Sequence, residues 1–340
     1  MGDGDPVLAV RDLTVGLHTA QGEVRATEGV SFDLAAGSTL GLVGESGSGK
    51  SIAMRALLGL LPRGATVSGS VRYAGRELLG ASERQLAAVR GKEIAMVFQD
   101  PMSALNPIRR VGSQIGEGPR VQLGWSRSRA RAHTLDLLRQ VEIAEPERVA
   151  RAYPHQLSGG MRQRAMIAMA LSCDPKVLLC DEPTTALDVT TQDQILKLLR
   201  AASERSGAAM VFVSHDLAVV RQLCRSVLVM YAARLVEQGP IDEVFSDPRH
   251  AYTQALLRSL PSVEGERTRP VSIRGELPDR FAMPSGCRFR PRCGLAEDRC
   301  ASLSHALVPV GADRSSACVH AEASLPQPWA AATAESGADR

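Results

Sequence analysis

The chain has 340 residues, 40 Lys and Arg against 37 Asp and Glu for a formal net charge of +3, and 44% hydrophobic residues. That allows one large domain with an appendage or two modest domains, and a charge so near zero excludes a nucleic-acid partner recruited by bulk electrostatics. No run of about 18 apolar residues exists, and the acidic start "MGDGDPVLAVRDL" lacks a signal peptide's basic and apolar regions, so the sequence predicts a chain kept in the cytosol.

In chain order, "STLGLVG" (38–44) reads as a buried strand and "SIAMRALLGLL" (51–61) as a helix. "EIAMVFQ" (93–99), "KVLLCD" (176–181) and "AAMVFVSH" (208–215) are further buried strands. "TTQDQILKLLRAASERSG" (190–207) is an amphipathic helix closed by Gly207. Strands alternating with helices predict an α/β domain with a largely parallel sheet over residues 1–245.

Between about 102 and 172 the strand signal disappears, which predicts a helical insert with a break at Gly118–Pro119. Arg127, Arg129 and Arg131 read there as a solvated face, with only Trp125 near enough to stack a base. A helix and Pro-rich linker occupy 246–285, a Cys-rich segment 286–320, and a small, polar, disordered tail 321–340.

"GESGSGKS" (44–51) fits the GxxxxGK(S/T) phosphate loop, set between a predicted strand and helix as that motif requires. Its glycines let backbone N–H groups converge on phosphate oxygens. Lys50 reaches the β- and γ-phosphates, and Ser51 offers Mg²⁺ a hydroxyl. Asp181 ends an apolar strand and is placed to hold Mg²⁺; Glu182 follows it and can polarise a water toward the γ-phosphate. Parallel strands end on one edge, so His215 and Gln99 should face the same crevice, Gln99 sensing Mg²⁺ or the attacking water. "LSGGMRQR" (157–164) has the chemistry of a second anion grip, a helix N-terminus with unpaired N–H groups.

The series "GESGSGKS", Gln99, "LSGGMRQR", "LLCDEPT", "ALD" and His215, in that order, resembles the ATP-binding subunit of an ABC transporter. "VFQDPMSALNP", "HAYTQALLRSLP" and "GCRFRPRCGLAEDRC…AC" resemble the oligopeptide and dipeptide importers of that family. The resemblance implies an ABC-type P-loop NTPase fold with a mostly parallel core sheet, a β-rich N-terminal part, a helical insert and a small C-terminal extension. It implies ATP contacts from Gly44, Ser46, Gly47, Ser48, Gly49, Lys50, Ser51 and Ile52. Mg²⁺ falls to Ser51, Gln99 and Asp181, and catalysis to Glu182, His215 and Gln99.

It also answers why one chain carries two phosphate grips. In this family two cassettes pack head to tail, and Ser158, Gly159, Gly160 and Met161 contact the ATP of the partner, with Asp188 in the D-loop. The expected partners are a second ABC ATPase subunit, a paralogue, two transmembrane permease subunits and an extracytoplasmic solute-binding protein. The expected location is the cytoplasmic face of the membrane. Peptides are the family default; nickel chelates and sugars use similar subunits, and a soluble ABC ATPase is the rival reading. One departure concerns the base: no aromatic stands near Gln21, so Val24 or another apolar contact must serve adenine.

Seven cysteines are present. Cys173, Cys180 and Cys224 read as small core residues. Cys287, Cys293, Cys300 and Cys318 are separated by 5, 6 and 17 residues, unlike the C-x₂-C pairs of common zinc sites. Cytosolic disulfides are disfavoured, and four thiolates can hold one 4Fe–4S cluster. The resemblance implies the same, with zinc or unliganded thiols as alternatives.

Overall fold

The computed structural model describes residues 5–185, 187–259, 272–304 and 306–321. Two long strands, β1 (Leu8–Thr19) and β2 (Gly22–Leu34), form an antiparallel hairpin, followed by β3 (Thr39–Val43) and helix α1 (Lys50–Leu57). Then come β4 (Thr66–Tyr73), β5 (Arg76–Glu77), α2 (Glu83–Val89) and β6 (Ile94–Val97). No strand interrupts 98–176, which holds α3 (Pro101–Ala104), α4 (Val111–Ile115), α5 (Glu117–Gln122), α6 (Arg127–Gln140), α7 (Pro146–Arg151) and α8 (Gly159–Leu171). The domain resumes with β7 (Val177–Asp181), α9 (Val189–Ser206), β8 (Ala209–Ser214), α10 (Leu217–Leu223), β9 (Ser226–Tyr231), β10 (Arg234–Pro240), α11 (Ile241–Ser246) and α12 (Ala251–Arg258). Two short strands end the described chain, β11 (Val308–Gly311) and β12 (Arg314–Ser316).

Among the described residues these strands form two sheets. One is antiparallel, ordered β2-β1-β4-β5; the other runs β11-β12-β10-β9-β3-β8-β7-β6. Strands β9, β3, β8, β7 and β6 are mutually parallel. Every residue of β6, β7 and β8 is buried, the pattern of strands covered on both faces. One core lies between this sheet and the helical insert, where Val97, Leu178 and Phe212 meet Ile115, Leu138 and Ile167. The other lies between the sheet, α1 and the N-terminal sheet, where Leu42 and Val211 meet Met54, Leu13 and Phe32.

The expected break at Gly118–Pro119 is displaced. It falls at Gly116, which closes α4 and opens α5. Pro119 lies in the first turn of α5, where its missing N–H has no helical partner to lose. Helix α9 follows the sequence reading. Asp188 caps its N-terminus, accepting from Thr191 N at 2.9 Å, and Gly207 ends it at φ 63°.

The Cys-rich segment adds to the main sheet. Strand β12 pairs antiparallel with β10, Glu237 opposite Ser316, and β11 pairs with β12. Phe289 is fully buried against Tyr231 and Tyr252, worth about 1.5–3 kcal/mol of apolar burial. The prolines Pro261 and Pro270 and residues 322–340 of the expected tail lie outside the described residues.

Candidate nucleotide site

The loop between β3 and α1 curls because three glycines take backbone angles closed to most side chains: Gly44 at φ 152°, Gly47 at 80° and Gly49 at 107°. Close approach matters as much as angle. A Cβ on Gly44 would stand 2.1 Å from Met230 O, and one on Gly49 2.1 Å from Ala26 O. The loop surrounds Lys50, whose Nζ donates to Gly44 O at 2.8 Å and Glu45 O at 3.0 Å. Burial pushes the Lys50 pKa down, while Glu182, Asp181 and Glu45 oppose that shift.

The sheet delivers its acids to the same place. Ser51 Oγ donates to Asp181 Oδ1 at 2.7 Å. Asp181 is fully buried, and its Oδ2 has no partner among the described residues. Burial raises its pKa, with Ser51 pulling the other way. A buried, unpaired carboxylate oxygen beside a serine hydroxyl suits a hard cation, so Ser51 and Asp181 fit Mg²⁺.

Glu182 adopts φ 47°, an uncommon angle for a non-glycine residue, which turns its side chain into a ring of partners. Its Oε2 accepts from Thr185 Oγ1 at 2.9 Å and Gln99 Nε2 at 3.4 Å, and lies 3.2 Å from His215 Nδ1. Its Oε1 lies 3.9 Å from Lys50 Nζ. Sequence reasoning brought Gln99, Glu182 and His215 to one crevice, and the structure places them there. Gln99 differs in detail: its amide bonds Glu182 rather than Ser51 or Asp181. Thr185 was missed, although it directly follows the quoted "LLCDEPT".

These groups line a cavity of about 460 Å³ that includes Ser46, Gly47, Gly49, Lys50, Ser51 and Ile52. Gly44 and Ser48 shape the loop from behind, with Ser48 fully buried. The N-terminal sheet contributes Leu17, Arg25 and Ala26. Val24, the expected base contact, is buried at 4% exposure and does not line the cavity; Leu17, opposite it in the strand register, does. Residues from far along the chain complete the wall, Leu277, Pro278, Arg280 and Met283, and nothing in the sequence pattern signalled them.

Ser158, Gly159, Gly160 and Met161 do not line this cavity. Ser158 caps α8, accepting from Met161 N at 3.3 Å, and its exposed N-terminus faces open space at Gly159.

Over residues 27–185 the chain matches the ABC transporter family profile, and over 236–300 that of the oligopeptide/dipeptide transporter C-terminal region. It is 46% identical over 317 residues to a probable peptide ABC transporter ATP-binding protein of Sinorhizobium fredii, covering 92% of this chain and 95% of that one. The chain belongs to the ABC transporter family. It is also 43% identical to the dipeptide transport ATP-binding protein DppD of Escherichia coli, over 92% of this chain and 96% of that one. A dimeric, post-hydrolysis ATP-binding cassette, MJ0796, bound to ADP and phosphate, superposes with a TM-score of 0.63 at 27% identity, over 69% of this chain and 98% of that one. As an ABC ATPase, the chain takes ATP with Mg²⁺ as its substrate.

The ABC cassette's four C-terminal cysteines are free. Among the described residues no group of three or more His, Cys, Asp or Glu could hold a metal ion, so the zinc alternative at Cys287, Cys293, Cys300 and Cys318 is not met. Nor do the comparisons speak for a 4Fe–4S cluster. The four cysteines do line one small cavity with His250, Phe289 and His320. Burial raises the thiol pKa values of Cys287, Cys318 and Cys293, the last to about 11. Uncompensated, such thiols stay protonated.

Proposed function

We propose that this chain is the ATP-hydrolysing subunit that energises import of di- and oligopeptides through a membrane permease. The observation that carries it is the convergence of Lys50, Ser51, Asp181, Glu182, Gln99 and His215 on one sheet edge, in a chain whose C-terminal region is of the oligopeptide/dipeptide type. Lys50, freed from the loop carbonyls it now bonds, neutralises the β- and γ-phosphates. Ser51 and Asp181 hold Mg²⁺, which when bound offsets charge on those phosphates. Glu182, oriented by Thr185, Gln99 and His215, accepts a proton from the attacking water.

A second cassette supplies its signature helix, while Ser158, Gly159 and Gly160 here serve that partner's ATP. Asp188 and the neighbouring Val189, 84% exposed, lie on the seam. ATP closes the pair and hydrolysis reopens it. Ile108, 82% exposed, and Met102 follow Gln99 closely and give an apolar surface on which the permease docks. No helix among the described residues is long and apolar enough to cross a membrane, so docking holds the subunit at the cytoplasmic face. A solute-binding protein delivers peptide from outside.

The same reading gives Cys287, Cys293, Cys300 and Cys318 to a 4Fe–4S centre, supported by their common cavity. A cluster spreads its thiolates wider than a single ion does and would supply a structural staple. Iron and sulfide near zero in anaerobically purified protein would remove that assignment.

The test of function is ATPase activity and peptide uptake by the assembled transporter with Glu182→Gln. Loss of about 10²–10⁴-fold in hydrolysis is expected, with uptake lost in parallel. Equal rates for variant and wild type would defeat the assignment of Glu182.

A further inference from the structure

The segment 272–285 lies far from the phosphate loop in sequence yet runs across the mouth of its cavity. Asp279 and Ala282 close a turn there, Ala282 N donating to Asp279 O at 3.1 Å, and Asp279 Oδ1 accepts from Phe281 N at 2.9 Å. The turn presents Arg280. One of its N–H groups donates to Gly47 O at 3.0 Å, and this close approach depends on Gly47 being bare. A Cβ there would stand 2.9 Å from the guanidinium. No carboxylate pairs with Arg280 among the described residues. Arg280 is part of the wall of the cavity that also holds Lys50 and Ser46.

The strap is held by a second arginine. Arg292 donates to Arg274 O at 2.8 Å and forms a two-pronged pair with Glu45 of the phosphate loop, at 2.8 and 3.1 Å. It therefore fixes the start of the strap and the loop to each other. A cation with spare donors, fixed over a phosphate-binding cavity, is complementary to phosphate oxygens.

We propose that Arg280 is a nucleotide-contacting residue, binding the phosphate chain of ATP from the C-terminal strap, with Arg292 as its positioning residue. The proposal rests on the reading of this cavity as the ATP site. On ATP arrival Arg280 keeps or exchanges its bond to Gly47 O and turns its free N–H groups to phosphate oxygens. The nucleotide is then enclosed by Leu17 and Arg25 on one side and the strap on the other.

The experiment is equilibrium binding of a fluorescent ATP analogue to the full-length chain, with Arg280→Ala, Arg280→Lys, Arg274→Ala and Lys50→Ala, alongside KM and kcat of the assembled transporter. Arg274 lies exposed on the same strap and does not line the cavity, so it controls for loss of charge. Arg280→Ala should weaken ATP binding about tenfold, about 1.4 kcal/mol. KM should rise with kcat retained, and Arg280→Lys should recover part of the loss. Arg274→Ala should bind as wild type. Wild-type affinity in Arg280→Ala, or an equal loss in Arg274→Ala, overturns the proposal. If Lys50→Ala also binds as wild type, the ATP-site reading itself has failed and takes the proposal with it.

Discussion

The pair between Glu45 and Arg292 links the phosphate loop to the C-terminal unit through two hydrogen bonds, and its energetics can be worked out. Arg292 has a side chain 7% exposed and Glu45 one 22% exposed, so solvent screens them little. Two charge-assisted hydrogen bonds are worth about 1.5–3 kcal/mol each before desolvation of both ions offsets part of the gain. Removing either partner forfeits the shared interaction, at a cost of about 2 kcal/mol, and removing both forfeits the same interaction once, again about 2 kcal/mol. Amide hydrogen exchange over 286–300 reads the opening of this unit directly. Glu45→Gln, Arg292→Met and the double variant should each speed exchange about thirtyfold, since 1.4 kcal/mol is a factor of ten. A double variant faster by about the product of the two singles would mean additive, independent residues, and the reasoning would be refuted.

Glu28 joins three parts of the chain, accepting from Arg234 at 2.5 Å and from Arg288. Burial would raise its pKa, but the two guanidinium groups hold it at about 2, below its ordinary 4.5. A depressed carboxylate stabilises the fold above the unfolded value and loses that contribution as pH falls from about 4.5 toward 2, up to ~3 kcal/mol. The urea midpoint should therefore drop more between pH 6 and pH 3 in wild type than in Glu28→Gln; equal drops would contradict the assignment. Gly49→Ala should reduce ATP affinity by at least ~10-fold, because its Cβ meets Ala26 O at 2.1 Å, whereas Gly91→Ala, with open space at its Cβ, should bind normally. Normal binding by Gly49→Ala would show that the loop relaxes freely.

Contiguous chemistry was legible. "GESGSGKS" and "KVLLCDEP" carry their own context, since an apolar strand must end where its polar residues begin, and parallel strands must end together. That reasoning brought Gln99, Glu182 and His215 to one sheet edge, where their side chains do meet, without any contact information. The base wall was less visible. Leu17 and Val24 are opposite each other in the hairpin, and no periodicity says which one reaches the cavity. The C-terminal strands were invisible for a different reason. "VPVG" carries a proline and a glycine and "RSS" is short and polar, and they are strands only because β10 offers β12 an edge and β12 offers one to β11. The strap was hidden by sheer sequence distance: Arg280 meets Gly47 across 233 positions.

One segment, "CRFRPRC", ties the cysteine unit to the nucleotide site in this chain. Its cysteines, Cys287 and Cys293, face the small thiol-lined cavity. The arginines next to them face the other way. Arg288 reaches Glu28 and Ala232 O, and Arg292 reaches Glu45. Phe289 between them is clamped by Tyr231 and Tyr252, and the Tyr252 hydroxyl accepts from Glu45 N at 2.8 Å. Whatever fixes the spacing of the two cysteines therefore fixes the two arginines, and through them the phosphate loop at Glu45 and the cavity wall at Ala232. Packing this dense transmits displacement rather than absorbing it. A change in the state of the thiols must therefore register at the phosphate loop as a change in ATP affinity, and an ATP affinity indifferent to Cys287→Ser would break this chain of contacts at its first link.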